Sequence, residues 1–162
     1  HRDLHRVDRR QRQMCIRDSH AGFKLKQELK KFLDHTGYKV VDEGAFELNP
    51  HDDYPVYAYK VAKEVSKGKG LGILVCGSAE GVCMAANKLK GVRAVAVWTL
   101  RNARLSREHN DANVLCLSGW ELSPNHAKKI TKLWLATEFS GKERHKRRLE
   151  EIKRIENGKS PS

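Results

Sequence analysis

From position 20 onward, apolar residues alternate between two periods. Leu25, Leu29, Phe32 and Leu33 share one helical face, and Gly37 follows as a stop. YKVVDEG then reads as a short strand. In HDDYPVYAYKVAKEVSKG, Asp52 or Asp53 can cap a helix with Pro55 in its first turn, and Gly68 ends it. LGILVC (71–76) is a continuous apolar run, the pattern of a strand buried on both faces. GSAEGVCMAANK is a turn entering a short helix, VRAVAVW a second buried strand, LRNARLSREHN a helix and NVLCLSG a strand. SPNHAKKITKLWLATEF is a helix capped by Ser123 with Pro124 at its first position. Strands alternating with helices imply a parallel sheet with right-handed crossovers.

This pattern counts four strands from position 38 onward and a helix before the first of them. Such a helix should itself follow a strand, yet the preceding stretch, HRDLHRVDRRQRQMCIRDS, has no apolar period. Its back-translation resembles the constant parts of a transposase-type sequencing adapter. Residues 1–18 are therefore expected to be translated adapter, with Ser19 a junction residue. The native first strand would then have been replaced, and the native chain would begin at His20. Within the replacement, MCIR is apolar enough to occupy the vacant strand slot. The expected division is a non-native segment over 1–19, an α/β domain over 20–140 and a basic helical tail over 141–162.

The full chain has 162 residues and a formal charge of +12, a balance usually associated with nucleic acid or polyanionic surfaces. Six Arg and three Asp lie in residues 1–19, so the remainder carries +9. A net +4 of that excess is concentrated in GKERHKRRLEEIKR (141–154). The tail also repeats Leu149, Ile152 and Ile155 every three residues, which fits docking on a partner subunit better than on RNA. Cys15, Cys76, Cys83 and Cys116 form no C-x-x-C pair, so neither a disulfide framework nor a zinc spacing is present. No apolar run reaches the roughly 20 residues of a membrane span. A reducing, cytoplasmic setting without membrane contact is the expectation.

Ligands of open parallel sheets bind beyond the carboxyl ends of the strands. SHAG (19–22), HDDYP (51–55), CGSAEG (76–81) and, less directly, SREHND (106–111) are the polar segments expected to collect there. Cys76 ends a buried run and immediately precedes a helix entry, where dipole and free N–H groups favour a thiolate. Gly77 and Gly81 let backbone amides approach an anion, and Ser78 adds a hydroxyl. A thiolate beside such donors suits proton abstraction next to a carbonyl. On spacing alone a structural thiol in a tight strand–helix turn is the favoured reading, with the base as its alternative. Cys83 and Cys116 read as core, His109 as a surface or capping residue, and RHKRR (144–148) as a solvated run or a phosphate cradle.

Taken together, HAGFKLK (20–26), DYP (53–55), ILVCGSAEGVCMAANK (73–88), GVRAV (91–95), SREHNDANVL (106–115) and TEFSGKERHKRR (137–148) resemble the ribose-5-phosphate isomerase type B family, which includes the galactose-6-phosphate isomerase subunits. The resemblance implies a Rossmann-like three-layer α/β sandwich on a mostly parallel five-stranded sheet. It also implies a homodimer or tetramer with active sites at the interface, and aldose–ketose isomerisation of a sugar phosphate through an enediolate, without cofactor or metal. Carried over by position, Cys76 would be the base, Ser78 and the amides of Gly77, Ala79 and Gly81 would steady the enediolate, and His109, with Asn110 beside it, would assist ring opening from the partner. His20, Asp53 and Tyr54 would contact substrate, and Arg144, His145 and Arg148 would bind phosphate.

Three features depart from the family pattern. Ser19 stands where an Asp precedes His-Ala-Gly, Ala79 and Glu80 replace a Gly-x pair, and Trp120 follows the NVLCLSG strand where an Arg contacts phosphate. Ribose 5-phosphate is the expected substrate. A galactose- or allose-phosphate, or a non-catalytic sugar-phosphate- or nucleic-acid-binding homologue, are the alternatives. Retention of Cys76, Ser78 and His109 together favours the enzyme.

Overall fold

A computed structural model describes residues 13–18, 22–42 and 53–162. Five strands, β1 (Gln13–Asp18), β2 (Lys39–Asp42), β3 (Leu71–Cys76), β4 (Ala94–Ala96) and β5 (Val114–Ser118), form one wholly parallel sheet in the order β2-β1-β3-β5-β4. The helices are α1 (Phe23–Asp34), α2 (Tyr54–Ser66), α3 (Glu80–Ala86), α4 (Leu100–Asn110), α5 (Pro124–Ala136) and α6 (Glu143–Glu156).

The chain leaves β1 toward one edge of the sheet and returns past it to β3, so the direction of winding reverses between these two strands. Right-handed crossovers then distribute the helices over both faces. Leu25 of α1, Ala103 of α4 and Ile130 of α5 share one core with Met14, Ile16, Ile73, Val75, Leu115 and Leu117. Val61 of α2 and Val82 of α3 share the other with Cys15, Leu74, Val114 and Cys116. Alternate residues of each central strand therefore face opposite helical layers, and continuous apolar runs result.

The slot left for a first strand is filled by QMCIRD, with Met14 opposite Leu71 and Asp18 opposite Val75. Met14, Cys15 and Ile16 are buried as β-strand core residues should be. Two details differ from the sequence pattern. VRAVAVW was expected to form a buried strand, but β4 spans only three residues and leaves Val95 and Ala96 half-buried. It is an edge strand, and Asn87 substitutes for a neighbour, its side chain accepting from Ala94 N at 2.8 Å and donating to Ala94 O at 2.9 Å. Asp53 stands at the N-cap of α2 without a side-chain capping bond, whereas Ser123 caps α5 by accepting from His126 N at 3.2 Å.

Candidate active site

The turn between β3 and α3 is built by the strand's end. Cys76, half-buried, is the last residue of β3 and lies opposite Ser118 in the adjacent strand. The β5 side holds it firmly: Gly119 N donates to Cys76 O at 2.7 Å, Ser118 Oγ to Gly77 O at 2.6 Å and Trp120 N to the same oxygen at 3.3 Å. The polar Ser118 at the end of an apolar run is a support that the sequence reading overlooked; its position beside the strand end carrying Cys76 was the available signal.

Both turn glycines are required by their neighbours. A Cβ at Gly77 would lie 2.6 Å from the Trp120 ring, and one at Gly81 would lie 2.6 Å from the Tyr54 ring. Two aromatic side chains thus bracket the turn, Trp120 from the β5 side and Tyr54 from the start of α2. Ala79, between the glycines, is buried in the left-handed region at φ 72°. Ser78 Oγ accepts from Glu80 N at 3.4 Å, and the Glu80 carboxylate stands exposed in the first turn of α3. The first N–H groups of a helix have no intrahelical partner, so they are free to face a developing oxyanion.

The other thiols differ from Cys76. Cys116 is fully buried and burial pushes its thiol well above the usual range. Cys83 is half-buried rather than core, donates to Ala94 O at 3.3 Å, and is drawn down by its hydrogen bond with Cys116.

Asp53 and Tyr54 are exposed at the same carboxyl end as Cys76, while His20 lies outside the described residues. The expectation that SREHND collects there is overturned. Helix α4 begins after the carboxyl end of β4 and must finish before the amino end of β5, so His109 and Asn110, at its last turn, lie at the opposite end of the sheet. A five-residue strand separates the two ends by roughly 17 Å.

At that amino end His109 meets the tail. Its ring centroid is 4.3 Å from that of His145, which is buried and shares a 2.6 Å hydrogen bond between Nδ1 and Ser140 Oγ. Desolvation first, then the charges of His109, Arg144, Arg148 and Lys142, hold the His145 imidazole below its usual range. Arg144 and Arg148 flank it in the exposed first turns of α6. Arg107 anchors the platform: its Nη1 donates to Ala112 O at 2.6 Å, its Nε to Thr137 O at 3.2 Å, and its guanidinium lies 5.1 Å from the Trp134 ring. Nothing in local spacing marked Arg107 as an anchor, because its partners are backbone carbonyls, one of them, Thr137 O, thirty residues away. Among the described residues no three His, Cys, Asp or Glu side chains converge as a metal site, and no helix is long and apolar enough to cross a membrane.

The chain is a doubly wound α/β protein, a class whose ligand sites lie beyond the carboxyl ends of the strands, and here that end carries a cysteine at the entry to a glycine-lined helix turn. The sequence profile described as Ribose/Galactose Isomerase matches residues 14–152, and the chain belongs to that family. The ribose-5-phosphate isomerase B of Escherichia coli is 41% identical over 138 residues, covering 85% of this chain and 91% of that one. Among solved structures, the Mycoplasma genitalium ribose-5-phosphate isomerase B with bound ribulose-5-phosphate superposes with a TM-score of 0.87 at 42% identity, covering 90% of this chain and 96% of that one. The Clostridium thermocellum ribose-5-phosphate isomerase B gives 0.87 at 40%, covering 90% and 98%.

Proposed function

We propose that this chain is an aldose–ketose isomerase that interconverts ribose 5-phosphate and ribulose 5-phosphate. The carrying observation is Cys76, held by three bonds across Cys76 O and Gly77 O beside a turn of backbone donors. Its sulfur takes the proton from C2 of the open-chain aldose and returns it to C1, while the hydroxyl proton passes from O2 to O1. The charge that develops on the sugar oxygens is met by Ser78 and the amides of Gly77, Ala79 and Gly81. Asp53 and Tyr54 line the same end, and His20 is assigned there by position in the sequence.

His109 and Asn110 belong to the site of a second copy, with Arg144 and Arg148 supplying the phosphate cradle. His145, expected to bind phosphate with them, is instead buried with its Nδ1 bonded to Ser140 Oγ, and its ring orients His109 in this arrangement. Two clusters at opposite ends of one sheet support a homodimer in which each site takes Cys76 from one protomer and His109 from the other. Residues 1–19 remain a non-native segment in this reading, with the α/β domain over 20–140 and the tail over 141–162.

The test is a coupled isomerase assay on pentose and hexose phosphates, followed by subunit mixing. Cys76→Ala and His109→Ala chains should each be inactive or nearly so. Refolded together in equal amounts they should regain about a quarter of wild-type activity, since each hybrid of an isologous dimer holds one intact site. No regain would mean that both residues act from one chain or that the assembly differs. Turnover of hexose phosphates in preference to ribose 5-phosphate would displace the substrate assignment.

A further inference from the structure

The indole of Trp120 is 73% exposed and is the most exposed large apolar side chain among the described residues. It is not loose. Its backbone N–H is bonded to Gly77 O, and its six-membered ring rests on Gly77, where Cε2 and Cζ2 would each lie 2.6 Å from an added Cβ. Tyr54 closes the far side of the same turn over Gly81. The Cys76 turn thus lies between two aromatic rings, one of them carrying a large open surface. An exposed indole fixed on the residue that follows Cys76 has little to gain from water, and its face suits the C–H face of a carbohydrate. Such a platform provides contact area with few torsions to order.

We infer that Trp120 is a substrate-contacting residue, the platform on which the carbon backbone of the phosphorylated sugar lies while Cys76 works on C1 and C2. The inference rests on the isomerase reading and assigns this site a recognition element directed at the sugar rather than at its phosphate. Binding should therefore depend on the carbon chain more than on the anion.

The experiment uses the full chain carrying Cys76→Ala, so that ribose 5-phosphate binds without turnover. Trp134 is fully buried and Trp98 half-buried, so iodide quenching reports chiefly on Trp120. Saturating ribose 5-phosphate should reduce the quenching constant at least twofold, and inorganic phosphate should not. In the chain with Cys76 intact, Trp120→Ala should raise KM about fivefold or more with kcat within threefold, and Trp120→Phe should restore KM to within twofold. Calorimetric binding of ribose 5-phosphate without protection of Trp120 overturns the platform alone. Equal protection by phosphate would place the ring beside the anion, and a fall in kcat with KM unchanged would assign it to holding the turn; either result overturns the platform. Protection that follows protein concentration instead of sugar makes Trp120 a contact between copies. Absence of any sugar-phosphate binding by calorimetry sinks the isomerase reading together with the inference.

Discussion

β1 and β3 are neighbours of equal length at the centre of one sheet, and they end differently. β3, LGILVC, is apolar to its last residue and delivers Cys76 to the cleft. β1, QMCIRD, is equally well buried over Met14, Cys15 and Ile16 but then carries Arg17 and Asp18 into the interior. Arg17, opposite Leu74, faces the α2 layer; its guanidinium sits 4.0 Å over the Tyr57 ring, and its Nε is buried without a hydrogen-bond partner. Asp18 faces the α1 layer, where Lys26 Nζ lies 3.1 Å from Oδ1 and 3.3 Å from Asp42, which also receives Lys30. In this slot Met14, Cys15 and Ile16 pack into the two cores on either side of the sheet as fully as the apolar run of β3 does. What the slot does not set is the chemistry of the strand's carboxyl end, where a parallel sheet presents its ligand site.

The largest expected effect contrasts the two strands' thiols. Cys76→Ala should lower kcat by roughly 10²–10⁴-fold, the usual contribution of a positioned general base. Cys15→Ala should leave kcat within about twofold. If the Cys76 variant kept more than about a tenth of wild-type turnover, the base would lie elsewhere, and Glu80 would be the next residue to change.

Exchanging the end of β1 comes next. Replacing residues 1–19 by a Val/Ile-rich strand ending in Gly-Ala-Asp removes the unpartnered Arg17 Nε and the buried Asp18 carboxylate. Buried polar atoms left unsatisfied cost about 1–3 kcal/mol each. Both melting temperature and turnover should rise, measured side by side on the two chains. Equal values would show that the existing N-terminal segment is native or that the Asp before His20 is dispensable.

The legibility of this molecule follows the same division. Continuous apolar runs and 3.6-residue stripes are products of burial, so β3, β5, α1, α4, α5 and their order could be read from the chain. The turn at Cys76 was readable because a strand end, two glycines and a helix start are adjacent in sequence. β4 was overextended because Asn87, seven residues away, satisfies the edge that a longer strand would have used. SREHND was grouped with the carboxyl-end segments because a helix–strand connection and a strand–helix connection look alike in composition, and only their order distinguishes them. The Lys26, Asp18 and Asp42 cluster joins three elements, so no spacing within one element marked it.

Asp18 gives a smaller effect, visible only against pH. Its burial holds the carboxyl above the ordinary 3.8, with desolvation outweighing the attraction of Lys26. The folded state then binds the proton more readily than the unfolded one, so this group's contribution is fully present below 3.8 and is lost as pH rises through the folded value. Urea unfolding of the wild type and Asp18→Asn, compared from pH 4 to 7, should show the variant's relative stability increasing with pH and then levelling. The reverse slope would mean that the Lys26 pair dominates over burial.

The smallest effect tests whether the β3 turn is as settled as its apolar strand. Ala79 holds φ 72° with its methyl buried. The left-handed conformation costs a non-glycine residue roughly 1–2 kcal/mol. Glycine would relieve that, but it enlarges the unfolded ensemble by about 0.5–1 kcal/mol and forfeits a buried methyl worth about 0.8 kcal/mol. These opposing contributions nearly cancel, so Ala79→Gly should change unfolding free energy by less than about 1 kcal/mol and kcat by less than threefold. A gain well above 1.5 kcal/mol would reveal strain in the turn comparable to the misfit at the end of β1. A near-zero result would confine the misfit to β1, because packing under α3 then holds Ala79 as comfortably as glycine.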